Sequence, residues 1–156
     1  MEKYTIDYVK VFKEVHVVSV PMGDFENLFS VLEEYNVETF IYSKYINRIV
    51  VIIHTNKQKG IAQSFADIKE ELLKITSDAK WSEKTSLVEI GGLFIDGCDG
   101  LSVSVLEALS RSKINLQYQI MNPSQYSLLI NKSEIRKCLK ALSRHLGVRD
   151  SIISIS

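Results

Sequence analysis

Apolar positions along this chain change period in an order that occurs twice. Residues 1–13 mix Tyr4, Ile6, Tyr8, Val9, Val11 and Phe12 with polar neighbours, which predicts a strand or extended lead-in. The run VHVVSV at 15–20 predicts a buried strand, and Pro21-Met22-Gly23-Asp24 predicts a turn. Phe25, Leu28, Phe29 and Leu32 then share one helical face, Glu26, Glu33 and Glu34 the other, with Asp24 placed as N-cap. Residues 37–42 and 49–53 predict two strands, linked closely enough for a hairpin. A polar loop at 56–60 leads into a second helix marked by Ile61, Phe65, Ile68 and Leu72, and 80–85 reads as a short strand or connector.

The same order follows again. A strand at 87–95 meets the polar loop Asp96-Gly97-Cys98-Asp99-Gly100, then a helix at 101–112 with Leu101, Val105, Leu106 and Leu109 on one face. A strand at 114–121, the turn Asn122-Pro123-Ser124-Gln125 and a strand at 126–130 come next. The last helix, 133–146, ends at Gly147, and 151–156 closes as a strand. At an offset of 77, Gly23 falls on Gly100, Leu28 on Val105, Phe29 on Leu106, Leu32 on Leu109 and Val37 on Ile114. Each half, about 70 residues, has the β-α-β-β-α-β order of a ferredoxin-like unit. The expected class is therefore α+β, with an antiparallel four-stranded sheet and two helices on one face per unit. The expected boundaries are 15–85 and 86–156, with 1–14 as lead-in. One such sheet is marginal alone, and two can share strands or helix faces.

Charge narrows the possible partners. Nineteen basic residues balance nineteen acidic ones, which argues against nucleic acid and membrane surfaces unless a local patch hides in the neutral total. No apolar run approaches the ~18 residues of a membrane span, and the start Met1-Glu2-Lys3-Tyr4-Thr5 lacks a leader's apolar core. Cys98 and Cys138 lack metal-type spacing, which predicts reduced thiols and a cytoplasmic protein, and no metal or cofactor is expected.

Catalytic chemistry finds little support. No nucleophile–base pair stands out. His16 and His54 sit in apolar strands as structural residues, and His145 suits a helix C-terminus. Nothing basic flanks Cys98, and Cys138 falls on a core face. Gly91-Gly92 predicts a bulge or bend in a strand. The loop at 96–100 lacks the Gly-Lys-Ser/Thr of a phosphate loop. Strands 49–53 and 126–130 lack the basic–aromatic signature of an RNA-stacking sheet. An acylphosphatase-like enzyme would want arginine in the first strand–helix loop, where acids stand. A small zwitterion fits what remains. Helix N-terminal N–H groups can take its carboxylate, and Asp24, Glu38, Asp99 or Asn115 its ammonium. Local roles suit the same residues: Asp24 as a cap, Asp99 in a turn and Glu38 at a solvated strand position.

The stretches LVEIGG and DGCDGLSVSVLEALSRSKINL, with VVSVPMGDFENLFSVLEEYNVETF and IAQSFADIKEELLKI, together cover most of the chain. They resemble the paired ACT domains of the regulatory, C-terminal region of aspartate kinases, in particular the lysine-sensitive, single-function type. The resemblance implies a chain without catalytic residues, either a separately made regulatory subunit or an excised fragment, with the ATP-dependent aspartate-phosphorylating catalytic domain as its partner. It implies feedback control of lysine and threonine biosynthesis, with lysine or threonine as effector and a homodimer formed through the first ACT unit. Carried over by position, the effector site comprises Met22, Gly23, Asp24 and Phe25 with Glu38, Thr39 and Phe40. Two positions depart from the family: Asp24 stands where an apolar residue is common, and Phe40 where an acid holds the effector amine. Glu38, on the same strand face as Phe40, is the available substitute. The family often nests its units, an order in which residues 1–14 complete the second sheet and 151–156 cross to the first. The alternative is a free-standing ACT sensor acting on another protein. A kinase-coding segment directly upstream and in frame would separate the two.

Overall fold

The computed structural model describes residues 4–37, 40–45, 47–54, 62–94 and 99–156. The chain forms two compact units. One is continuous, Glu14–Lys84, and the other is split, Met1–Lys13 with Thr85–Ser156.

The continuous unit takes its first strand from the C-terminal part of β1 (Tyr4–Pro21). A 3-10 turn, Met22–Asp24, leads into α1 (Phe25–Glu34), followed by β2 (Phe40–Tyr45), β3 (Arg48–His54) and α2 (Ala62–Ile75). The start of β4 (Lys80–Phe94) completes the sheet in the order β2-β3-β1-β4. β1 and β3 run antiparallel from Val15↔His54 to Pro21↔Arg48, and β2 pairs β3 from Phe40↔Ile53 to Tyr45↔Arg48. Alternate residues Val18, Val20, Ile49, Val51 and Ile53 face a core that includes Leu28, Leu32, Ile68 and Leu72 from the helices. Val50 and Ile52, on the other side of β3, are buried as well, so the strand reads as an unbroken apolar run.

The split unit adds α3 (Asp99–Arg111), β5 (Leu116–Asn122), β6 (Gln125–Asn131), α4 (Ile135–Leu146) and β7 (Ile153–Ile155). Its strand order is β5-β6-β4-β1-β7, with β4–β6 and β5–β6 antiparallel. The N-terminal half of β1 therefore supplies the fourth strand. β7 is a fifth strand, parallel to β1 at Val9↔Ile153 and Val11↔Ile155, and does not cross to the other unit. The Ser156 N–H donates to Val11 O at 2.8 Å and the Lys13 N–H to Ser156 O at 3.0 Å. Val9, Val11, Val88, Ile90, Leu101, Val105, Leu109, Tyr126, Cys138 and Leu142 form its core. Burial pushes the Cys138 thiol up to about 12, as an inert core residue requires.

Four sequence expectations change. Residues 80–85 are no connector but part of a 15-residue strand, and the lead-in and first strand are one 18-residue strand. Gly91-Gly92 marks a close approach: pairing with β6 stays regular as far as Gly91, while a Cβ on Gly92 would lie 1.9 Å from Thr5 O. Asp24 stands at the N-cap position of α1 but makes no capping hydrogen bond.

The repeat extends to how α1 and α3 end. Asn36 and Lys113, 77 residues apart, both adopt the left-handed conformation, at φ 56° each. The Asn36 N–H donates to Glu33 O and the Val37 N–H to Leu32 O. Lys113 and Ile114 repeat this with Ser110 and Leu109. These are Schellman pairs, which favour glycine or asparagine at the left-handed position. Lysine there is strained, so Lys113→Gly should stabilise the chain by about 0.5–1 kcal/mol. Asn36→Gly should change it by only a few tenths, since asparagine already tolerates the conformation. Urea denaturation checks both, and a destabilised Lys113→Gly would contradict this account.

Candidate functional site

The expected effector loop leaves β1 at Pro21, whose partner across the ladder is Arg48. Met22, Gly23 and Asp24 form the 3-10 turn, and Phe25 opens α1. The Met22 N–H donates to Asn47 O at 2.9 Å, tying the turn to the tip of the β2–β3 hairpin. Asn47 is itself left-handed, at φ 57°, a conformation asparagine accepts. The Phe25 ring meets the Phe29 ring edge-on at 4.5 Å and packs against the core, which anchors the first turn of α1. Met22 is partly exposed, and a Cβ at Gly23 would meet nothing within 4 Å, so the turn is open above the glycine. The Phe25 N–H donates to Met22 O within the turn, and the Asp24 carboxylate makes no capping hydrogen bond.

Phe40 begins β2 opposite Ile53, in the strand next to β3. Glu38 and Thr39 lie outside the described residues, as do Cys98 and the loop residues Asp96 and Gly97. Of the second-half candidates, Asp99 begins α3 and Asn115 is exposed between α3 and β5.

Arg48 was not singled out by the sequence pattern, yet it organises this corner. Its Nε donates to Ser19 Oγ at 2.7 Å and one terminal nitrogen to both Ser19 O and Asp78 O, at 2.9 and 2.8 Å. The other terminal nitrogen pairs with Asp78 Oδ2 at 2.8 Å. One guanidinium thus joins β1, β3 and the connection after α2, from the residue that pairs with Pro21 just before the turn. The available signal was an arginine adjoining an apolar strand, which a hairpin places opposite Pro21.

His16 sits in a second cluster. Its ring stacks on Phe65 at 3.7 Å, and its Nδ1 accepts from Trp81 Nε1 at 2.9 Å. Burial lowers its affinity for a proton. Glu83 pushes the other way, Lys69 pushes further down and Glu14 pushes up. The folded state therefore resists a proton that the unfolded chain accepts near its ordinary pKa of about 6.5. Stability should be complete above that pH and fall as pH drops from it to the lower folded-state value. Trp81 is the only tryptophan, so its fluorescence reports the site. A titration of the native protein should show a midpoint below about 6.5, and a midpoint at or above it would contradict the geometry. His54, at the end of β3, is buried.

Among the described residues, no group of three His, Cys, Asp or Glu is placed to hold a metal, and no helix is long and apolar enough to cross a membrane. The geometry defines an α+β fold of two ferredoxin-like units, one inserted into the other, with an open turn at one helix N-terminus. No known protein-family model matches the chain, and no curated protein sequence does. Solved structures do match. The regulatory subunit of aspartate kinase from Thermus thermophilus aligns with 92% of this chain and 98% of its own, at a TM-score of 0.73 and 13% identity. The aspartate kinase of Clostridium acetobutylicum aligns with 92% of this chain at a TM-score of 0.74 and 17% identity. E. coli aspartokinase III in complex with lysine and aspartate aligns with 93% at a TM-score of 0.68 and 12% identity. The chain spans only 35% of the clostridial kinase and 34% of the E. coli one. At these identities the likeness establishes the fold: this chain has the architecture of the aspartate kinase regulatory region.

Proposed function

We propose that this chain is the regulatory, amino-acid-sensing module of an aspartate kinase, acting in the cytoplasm on the kinase's catalytic domain and contributing no catalytic residue itself. The observation that carries the reading is the alignment over nearly the full length of an isolated regulatory subunit. The effector is lysine or threonine, bound by Met22, Gly23, Asp24 and Phe25 with Glu38, Thr39 and Phe40, in a homodimer formed through the continuous unit.

The chemistry of the turn supports this. An effector α-carboxylate can sit at the start of α1, where the helix dipole favours negative charge. Asp24, not engaged as a cap, is placed to take the ammonium, and Glu38 is the second candidate for it. The tie from Met22 to the hairpin transmits occupancy of the turn to the sheet. Regulation then follows from binding one dimer arrangement more tightly than another.

Thermal unfolding tests the assignment of residues. At about ten times its Kd, the effector should add about 1.4 kcal/mol, or a rise of roughly 3–6 °C for a chain of this size. Asp24→Asn should keep the unliganded melting temperature and lose most of the rise. An Asp24→Asn protein with an undiminished rise would remove Asp24 from the site.

A further inference from the structure

We propose that the groove between α4 and β7 of the split unit binds an acidic amphipathic helix of a partner protein. This inference does not rest on the effector reading.

Charge is the first observation. The chain is neutral overall, yet residues 132–149 hold Lys132, Arg136, Lys137, Lys140, Arg144 and Arg149 against the single acid Glu134. On the other helices, cations find local partners: Lys74 pairs with Glu71 on α2, and Arg111 with Glu107 on α3. α4 contains no acid, and among the described residues Arg136, Lys137, Lys140 and Arg144 enter no ion pair. The helix dipole accounts for Arg144 and His145 in the last turn, not for Arg136, Lys137 and Lys140. A solvated helix face ordinarily mixes signs, and this one does not.

The second observation is the groove itself, about 700 Å³ in volume. Ile135 and Leu139 of α4 and Ile153 and Ile155 of β7 line it. Ile155 is 49% exposed. Lys13, Lys132, Arg136 and Lys140 line the same groove, with Asp150 the one acid among the described residues. The vacancy follows from the architecture. Strands lie about 4.8 Å apart and a helix is about 10 Å across, so two helices cover about four strands. This sheet has five, and β7 is the outermost. A third helix laid beside α4 would cover Ile153 and Ile155 and bring its flanks to the cations. The occupant must therefore carry apolar residues at helical spacing and Asp or Glu beside them. Nucleic acid fits less well, because among the described residues no aromatic side chain lines the groove for base stacking and Asp150 stands within it.

The test uses the full chain and a fluorescein-labelled peptide of about 15 residues, roughly 22 Å as a helix. The peptide has leucines on one helical face and glutamates elsewhere, and binding is read by anisotropy. The proposal expects saturable binding that weakens about tenfold on Arg136→Glu with Lys140→Glu, and about tenfold on Ile155→Asp. Arg136 and Lys140 are exposed and Ile155 is half-exposed, and unchanged melting temperatures confirm that the variants fold. Lys44→Glu, an exposed charge on the continuous unit, should have no effect. Absence of saturable binding overturns the proposal. So does equal binding of a scrambled peptide without an apolar face, insensitivity to either groove variant, or tighter binding of a single-stranded oligothymidylate of the same length.

Discussion

Gly92→Ala should cost about 3–5 kcal/mol or prevent folding of the split unit altogether, the largest effect expected of any single methyl group here. The added Cβ would lie 1.9 Å from Thr5 O, 2.9 Å from Thr5 C and 3.1 Å from Asp7 N. All three atoms are backbone, so no side-chain rotation relieves the overlap, and β4 or β1 must move. The contact sits where β1 completes the split sheet, beside the Gly92 N–H bond to Ser124 O. At Gly91 the three atoms nearest an added Cβ all belong to the Tyr8 side chain, an obstacle that can swing aside at lower cost. Gly23→Ala provides the control. Its Cβ would meet nothing within 4 Å, so its stability should stay within about 0.5 kcal/mol of the parent or rise slightly. Chemical denaturation of the three variants checks the order, and a Gly92→Ala protein as stable as Gly23→Ala would contradict the close approach of β1 to β4.

The second large effect is expected at Arg48. Arg48→Met removes four hydrogen bonds from one largely buried group and leaves the Ser19 hydroxyl, itself only 2% exposed, without its donor. The Asp78 carboxylate is well exposed and returns to water at little cost. The expected loss is about 2–3 kcal/mol, or roughly 5–10 °C in melting temperature. Arg48→Lys should recover less than half, because a single ammonium cannot reach Ser19 and Asp78 from one planar fork. Equal stability of Arg48→Lys and the parent would show that charge alone, rather than the fork, holds the corner.

The residues that carried the fold were legible because their burial follows a simple period. Leu28 and Val105, Leu32 and Leu109, and Val37 and Ile114 are buried in pairs 77 apart. Strand starts were harder to place, for a physical reason. Ile114 is apolar and precedes a strand, but its N–H is spent on closing α3, so β5 begins at Leu116. The continuity of β1 was obscured by Lys13 and Glu14, a polar pair that interrupts the alternation where one unit hands over to the other. Trp81, Ser82, Glu83 and Lys84 disguised the start of β4 likewise, since only Trp81 of the four is large and apolar. At the candidate site, the turn at Met22–Asp24 was visible as turn chemistry. Its support was not, because Arg48, Ser19 and Asp78 are about 30 residues apart and meet only through the hairpin and the α2–β4 connection.

The central claim is that the turn at Gly23 senses a free amino acid, and isothermal titration calorimetry on the intact chain tests it most directly. Lysine and threonine are each titrated to concentrations of order 10 mM, enough to saturate a Kd near about 1 mM. The account predicts saturable heat for one of the two, lost in Asp24→Asn. Absence of heat from both would contradict it.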